Sequence, residues 1–182
     1  MSRADATKAR ILQAATEEFA AYGIAGARVD RIAKAAAANK NLIYVYFCSK
    51  DQLFDAVFEA HVTHGLDSVP FTPDNLPEYA GRLFDYSRQH PEVTRLATWH
   101  RLERGGQESA ALSSPREAKL AALAAVQQAD NIGEAFSPAA LLTLVLSIAL
   151  AWDPSNAVDM PATTESDEGR RRAIVEAVRR LL

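Results

Sequence analysis

Apolar residues in this chain recur every three or four positions through most of its length. Nowhere do they alternate convincingly with polar ones, as a half-buried strand requires. The chain is therefore expected to be all-α. The periodicity and its punctuation predict about nine helices: Asp5 to Tyr22, Val29 to Ala36, Lys40 to Phe47, Ser49 to His64, and then 76–90, 92–104, 115–130, 137–152 and 167–182. In the first, Ile11, Ala15, Phe19 and Tyr22 form the expected buried stripe, and Gly23 stands where a left-handed C-cap belongs. Val29, Ile32, Ala33 and Ala36 give the second its core face, and Leu53, Val57 and Phe58 the fourth. The stretch "DSVPFTPDNLP" holds three prolines and no period, so it reads as a boundary or linker. The expected division is a three-helix head over residues 1–48 and a helical bundle over 49–182.

Charge supports that division. Residues 1–50 carry eight Lys/Arg (Arg3, Lys8, Arg10, Arg28, Arg31, Lys34, Lys40, Lys50) against four acids (Asp5, Glu17, Glu18, Asp30), a surplus of +4. The whole chain is −3, so residues 51–182 carry −7. A basic head on an acidic body suits a nucleic-acid reader with a separate regulatory or assembly part. With Cys48 the single cysteine, an intrachain disulfide is impossible and a cysteine-based zinc site is not expected. The longest apolar run, Ala139 to Trp152, is fourteen residues, short of the roughly 20 a membrane span needs. Ser137 and Pro138 give it the start of a soluble helix. The N-terminal segment has no secretory core, and a cytoplasmic protein is expected.

The segment "NKNLIYVYFCSK" is the most informative. Wound at 3.6 residues per turn, Leu42, Ile43, Tyr46 and Phe47 fall on one side, and Lys40, Asn41, Tyr44 and Val45 on the other. Packing does not need the second set, and a purely solvating face would not usually include Tyr and Val. A major groove would use all four. Lys reaches guanine or phosphate, Asn grips adenine, a small apolar group lies on a thymine methyl, and a phenol holds a phosphate. Asn39 is the expected N-cap, and the short preceding helix completes a helix-turn-helix. Arg28 and Lys50 open helices two and four, where a cation opposes the dipole, so phosphate partners are expected for both.

Residues Arg10 to Phe54 resemble, without a gap, the DNA-binding head of the TetR (tetracycline-repressor) family of bacterial regulators. The resemblance rests on Ile11-Leu12, Ala15, Phe19, Gly23, Val29, Ile32-Ala33, Ile43-Tyr44-x-Tyr46-Phe47, Ser49-Lys50 and Leu53. It implies an all-helical dimer whose third helices enter successive major grooves of a palindromic operator, and a body that binds a small-molecule inducer. By position, Lys40, Asn41 and Leu42 would meet base edges. Tyr44 and Lys50 would hold phosphates, and Arg28 replaces a phosphate-contacting Thr or Ser. Ala37 stands for the usual turn Gly, Ala38 for a larger apolar residue, and Leu42 for a small or polar one. A helical ligand-binding protein whose head no longer reads sequence is the competing expectation, resting on those three residues. The body has a weaker likeness to one branch of the family, which implies no particular ligand.

Elsewhere, Phe84, Trp99, His100 and Trp152, with Tyr79 and Leu83, are candidates for a mostly apolar ligand wall, although each taken singly reads as core before ligand contact. His61, His64 and Asp67 share a helix edge but lack a third strong metal ligand, so exposed polar residues are expected there, and no cofactor. No nucleophile elbow, zinc-protease motif or phosphate loop occurs, and an enzyme is not expected. The run from Ser137 to Trp152 is apolar nearly all round, and Ile174, Val175, Val178 and Leu181 stripe the helix from Asp167 to Leu182. Pairing these two helices with their copies would bury both in a four-helix homodimer interface; a central helix buried within a monomer is the alternative.

Overall fold

The computed structural model describes residues 3–105, 110–129, 135–156 and 165–182. Among them it has nine helices and no strand: α1 Arg3–Gly26, α2 Val29–Ala35, α3 Lys40–Phe47, α4 Lys50–Ser68, α5 Leu76–Gln89, α6 Pro91–Glu103, α7 Ala110–Gln128, α8 Pro138–Ala149 and α9 Asp167–Arg179. No described helix is long and apolar enough to cross a membrane. The caps expected at Asn39, Ser137 and Ser166 form, each side chain accepting a first-turn backbone N–H. α7 begins five residues before the expected start, because Pro115 is accommodated within it instead of delimiting it. The last residue of the expected helix 115–130 falls outside the described residues.

The helices group into two compact units. The first takes α1, α2, α3, α4 as far as Thr63, and α6. Its core joins Ile11, Ala15 and Phe19 to Ile32, Ile43, Leu53, Phe54 and, from α6, Leu96, all without solvent exposure. Phe19 meets Phe54 edge to face with ring centroids 5.2 Å apart, a favoured aromatic geometry. α6 lies along α1, where the Trp99 indole Nε1–H donates to the Ala20 carbonyl at 3.3 Å.

Gly23 has positive φ (71°), as a C-cap would, but its ψ of −176° is extended and the chain makes another helical turn through Gly26. This corrects the expected end of helix one. The reason is a partner distant in sequence: the Glu103 carboxylate accepts the N–H groups of Ile24 (3.2 Å) and Ala25 (2.7 Å), which the kink would leave without intrahelical bonds. Tyr22 is also corrected. It is 52% exposed, outside the buried stripe, and its ring carries the Arg31 guanidinium 4.3 Å above it. Arg31 in turn donates to the buried Glu18 carboxylate at 2.7 Å, a bond that holds the guanidinium pKa above its ordinary value. Glu18 also accepts the Arg28 backbone N–H at 2.8 Å and so caps the start of α2 from outside.

The second unit holds the end of α4 with α5, α7, α8 and α9. α5 packs along α9 and against α8, and α7 against α8. Leu76, Tyr79, Ala80 and Phe84 of α5 are buried with Leu123, Leu141, Leu142, Val145, Ala149, Ile174 and Val178. Gly81 permits the close approach of α9, since a Cβ there would come within 3.0 Å of Arg171 and Val175. Arg171 forks to Asp85 (2.8 Å) and Glu78 (2.6 Å), and the Asp85 hydrogen bond is the main reason its pKa is raised.

The kink makes a direct prediction. A Cβ at Gly23 would lie 2.8 Å and 2.9 Å from Trp99 ring carbons, on a backbone that L-residues rarely adopt. Gly23→Ala is expected to destabilise the protein by about 2 kcal/mol or more in urea unfolding. Gly26→Ala, whose Cβ meets only the Tyr22 Cβ at 3.4 Å, should shift stability by no more than about 0.5 kcal/mol.

Candidate nucleic-acid interface

The connection between α2 and α3 is built to turn sharply. Ala36 ends α2, and Ala37 has φ of 47°. The Ala37 N–H donates to the Lys34 carbonyl (3.2 Å) and the Ala38 N–H to the Ala33 carbonyl (3.0 Å). This pair of bonds is a Schellman cap, whose left-handed residue is usually Gly. Ala37 thus supports the turn at a steric cost, and Ala38 packs partly buried against the head core. From α1, Arg10 Nε donates to the Ala36 carbonyl at 3.2 Å and ties the turn to the scaffold. At the start of α3, Asn39 Oδ1 accepts the Asn41 N–H at 2.8 Å. At its end, Cys48 has φ of 60° and ψ of −47°, and the Ser49 N–H reaches the Phe47 carbonyl at 2.6 Å, a γ-turn. Ser49 Oγ then accepts the Gln52 N–H at 3.1 Å at the start of α4.

Between those ends α3 presents two faces. Ile43 (fully buried) and Phe47 (5% exposed) enter the core, with Leu42 and Tyr46 partly buried at the border. Lys40, Asn41, Tyr44 and Val45 all face solvent, Val45 at 71% exposure. The four residues separated from the core by helical phase are therefore together on one surface. Arg28, at the N-cap of α2, is exposed, and no hydrogen bond of its side chain occurs among the described residues. Lys40 Nζ lies 2.8 Å from the Asp30 carboxylate on α2. The pairing lowers the Asp30 pKa and raises that of Lys40. Lys50 has a structural role that the sequence reading missed: its ammonium donates to the carbonyls of Ala25 (3.3 Å) and Ala27 (3.2 Å). Those acceptors come from the turn after Gly23, which explains a cation at the start of α4 without a phosphate.

The four residues considered for a ligand wall divide between the two units. Trp99 packs on Gly23 and Ala20, and the His100 ring stacks on Phe58 (4.7 Å between centroids) and Phe54 (6.3 Å), all in the first unit. Phe84 and Trp152 belong to the second, where Phe84 is buried. The Trp152 indole N–H is buried with no acceptor among the described residues. His61 and His64 take separate surroundings: His61 bonds to Thr16 Oγ1 at 3.0 Å, and His64 lies beside Tyr86 and His90.

A short, doubly capped helix that follows a tight turn and offers a cation, an amide, a phenol and a small apolar group to solvent defines a helix-turn-helix DNA-binding protein. Comparison with known proteins agrees. Residues 11–57 match the family profile described as bacterial regulatory proteins, tetR family, and residues 75–180 match the tetracyclin repressor-like C-terminal domain. The transcriptional repressor SCO4008 of Streptomyces coelicolor is 38% identical over 98% of this chain and 96% of its own length. The solved structure of SCO4942 from the same organism superposes with a TM-score of 0.85 at 38% identity, over 96% of this chain and 97% of that one. Bacillus subtilis FadR, solved in complex with stearoyl-CoA, shares the fold at a TM-score of 0.66 and 16% identity, over 94% and 97% of the two chains. The chain belongs to the TetR family. It is a DNA-binding transcriptional regulator and not an enzyme.

Two outcomes follow from the geometry. Ala37→Gly should remove the left-handed penalty at the turn and stabilise the protein by about 1 kcal/mol in urea unfolding, net of the extra freedom Gly has when unfolded. The His100 pKa is lowered, first by burial and then by Arg104, with Asp55 opposing. The neutral ring's contribution is therefore present above the ordinary value of 6.5 and is lost as pH falls through the lower folded value. The wild type should lose more stability than His100→Gln between about pH 7 and about pH 5, by urea midpoints.

Proposed function

We propose that the chain is a ligand-responsive repressor that binds a palindromic operator as a homodimer, with α3 as the reading helix. The observation that carries this reading is the outward quartet of Lys40, Asn41, Tyr44 and Val45 on a helix held from behind by Ile43 and Phe47. In this reading residues 1–48 form the reading head and 49–182 the ligand-binding and dimerisation part. Lys40 and Asn41 meet base edges, with Leu42 at the margin of the groove. Tyr44 and Arg28 hold phosphates, and the capped start of α3 at Asn39 adds backbone N–H groups. Lys50, already bonded to two carbonyls, can reach a phosphate only in addition to its role at the α1–α2 joint.

Dimerisation through α8 and α9 is supported by their solvent faces. On α8, Ala139, Ala140, Thr143 and Ser147 are exposed with Leu144 half-buried between them, a face with no charge. On α9, Ala173 and Ala177 are exposed beside the apolar stripe. A palindromic operator read in successive major grooves needs two reading helices about 34–36 Å apart, one from each copy of a homodimer. An inducer bound in the body would favour a spacing of the heads that no longer fits both grooves. The Trp152 N–H, buried without an acceptor among the described residues, supports a ligand contact in the second unit, because buried donors are rarely left unsatisfied. Repression as the sign of regulation is supported by the 38% identical relative that carries that name. Action on chromosomal DNA would place the protein in the bacterial cytoplasm.

The test uses a duplex selected from a random library and a scrambled duplex of equal composition. Asn41→Ala should cost about 1–3 kcal/mol of affinity for the selected duplex and relax sequence preference. Tyr44→Phe should weaken both duplexes by a similar factor, as a phosphate contact would. Undiminished affinity in both variants overturns the assignment of α3.

A further inference from the structure

The ion pair on the reading surface is solvent-exposed, and such pairs contribute little to stability. Asp30 and Lys40 are exposed at 60% and 47% of their side chains, 2.8 Å apart, one on α2 and the other at the first position of α3. Asp30 already sits well in the first turn of α2, where a carboxylate matches the helix dipole. Lys40 does not: it opens α3, where a cation is disfavoured. The pair therefore does more for Lys40 than for Asp30. It also places a negative charge on a surface that would approach a polyanion, next to Arg28, the other cation that affects both ionisations.

We propose that Asp30 is a specificity-determining residue, one that restrains Lys40 from indiscriminate phosphate contact and so widens the gap between matched and unmatched DNA. The inference rests on the reading of α3 as the DNA-contacting helix. Non-specific binding is almost wholly a phosphate–cation interaction, so a carboxylate that occupies the reading lysine weakens it directly. In specific binding α3 enters the groove, and Lys40 exchanges one acceptor for another at a base edge. The carboxylate thus withholds this cation from unmatched DNA and yields it where α3 finds its bases, so it acts against the wrong duplex more than against the right one.

The experiment compares full-length wild type, Asp30→Asn, Lys40→Ala and the double variant by fluorescence anisotropy on the selected and scrambled duplexes over a salt series, after thermal melts establish folding. Asp30→Asn should tighten scrambled DNA by roughly 3–10-fold and steepen its log–log salt slope by up to about 0.9, one further phosphate neutralised. It should tighten the selected duplex less, so that the ratio of the two affinities falls. In the Lys40→Ala background, Asp30→Asn should leave that ratio unchanged. An equal gain on both duplexes, or the same gain with and without Lys40, overturns the proposal, because either marks a general charge effect. Failure of the underlying reading looks different: Asn41→Ala and Tyr44→Phe would then bind the selected duplex as tightly as the wild type.

Discussion

The outward face of α3 depends on how Ile43 and Phe47 dock the helix. Eight residues are too few to hold a helix on propensity alone, since the first turn is costly to form and few propagating bonds follow it. These two side chains seat α3 on a core that already joins Phe19, Ile32, Leu53 and Phe54. Once they are fixed, helical phase leaves Lys40, Asn41, Tyr44 and Val45 no choice but to project outward. The caps at both ends then set where the helix starts and stops.

The scaffold behind α3 is held by polar side chains that satisfy backbone groups at its joints. Three of them converge on the passage from α1 to α2. Glu103 takes the N–H groups after the Gly23 kink, Lys50 takes two carbonyls of the same turn, and Glu18 takes the N–H of Arg28. Each comes from a different helix, so the joint records the positions of α1, α4 and α6 together. Irregular backbone in a packed region is tolerated when such partners are supplied, because a buried orphan group costs more than the bond itself contributes. α6 belongs to the first unit for this reason, through Glu103, Trp99 and Leu96.

What was legible in the sequence was local. The phase of α3, the caps at Asn39, Ser137 and Ser166, the apolar face of α2 and the position of α8 depend on residues within a few places of one another. The left-handed turn at Ala37 was also legible, as the position where the family pattern has Gly. What was not legible depends on distant partners. Nothing near Gly23 announces that Glu103 will let the helix resume, and nothing near Lys50 points to the carbonyls of Ala25 and Ala27. Tyr22 has the spacing of a core residue and yet is a platform for Arg31. The division of Trp99 and His100 from Phe84 and Trp152 is likewise a consequence of tertiary packing, and helix-by-helix reading does not contain it. Asp30 left a faint signal, an acid in a basic head, but its pairing with Lys40 needed the crossing of α2 and α3.

The central claim is that the outward side of α3 is the side that meets a duplex. A photoreactive residue placed at Val45 tests it most directly, with the same probe at exposed Leu102 on α6 as the comparison. The account predicts efficient crosslinking of the selected duplex from position 45, suppressed by excess unlabelled duplex, and little from position 102. Equal yields from the two positions, or none from position 45 in a protein that still binds the duplex, would contradict it.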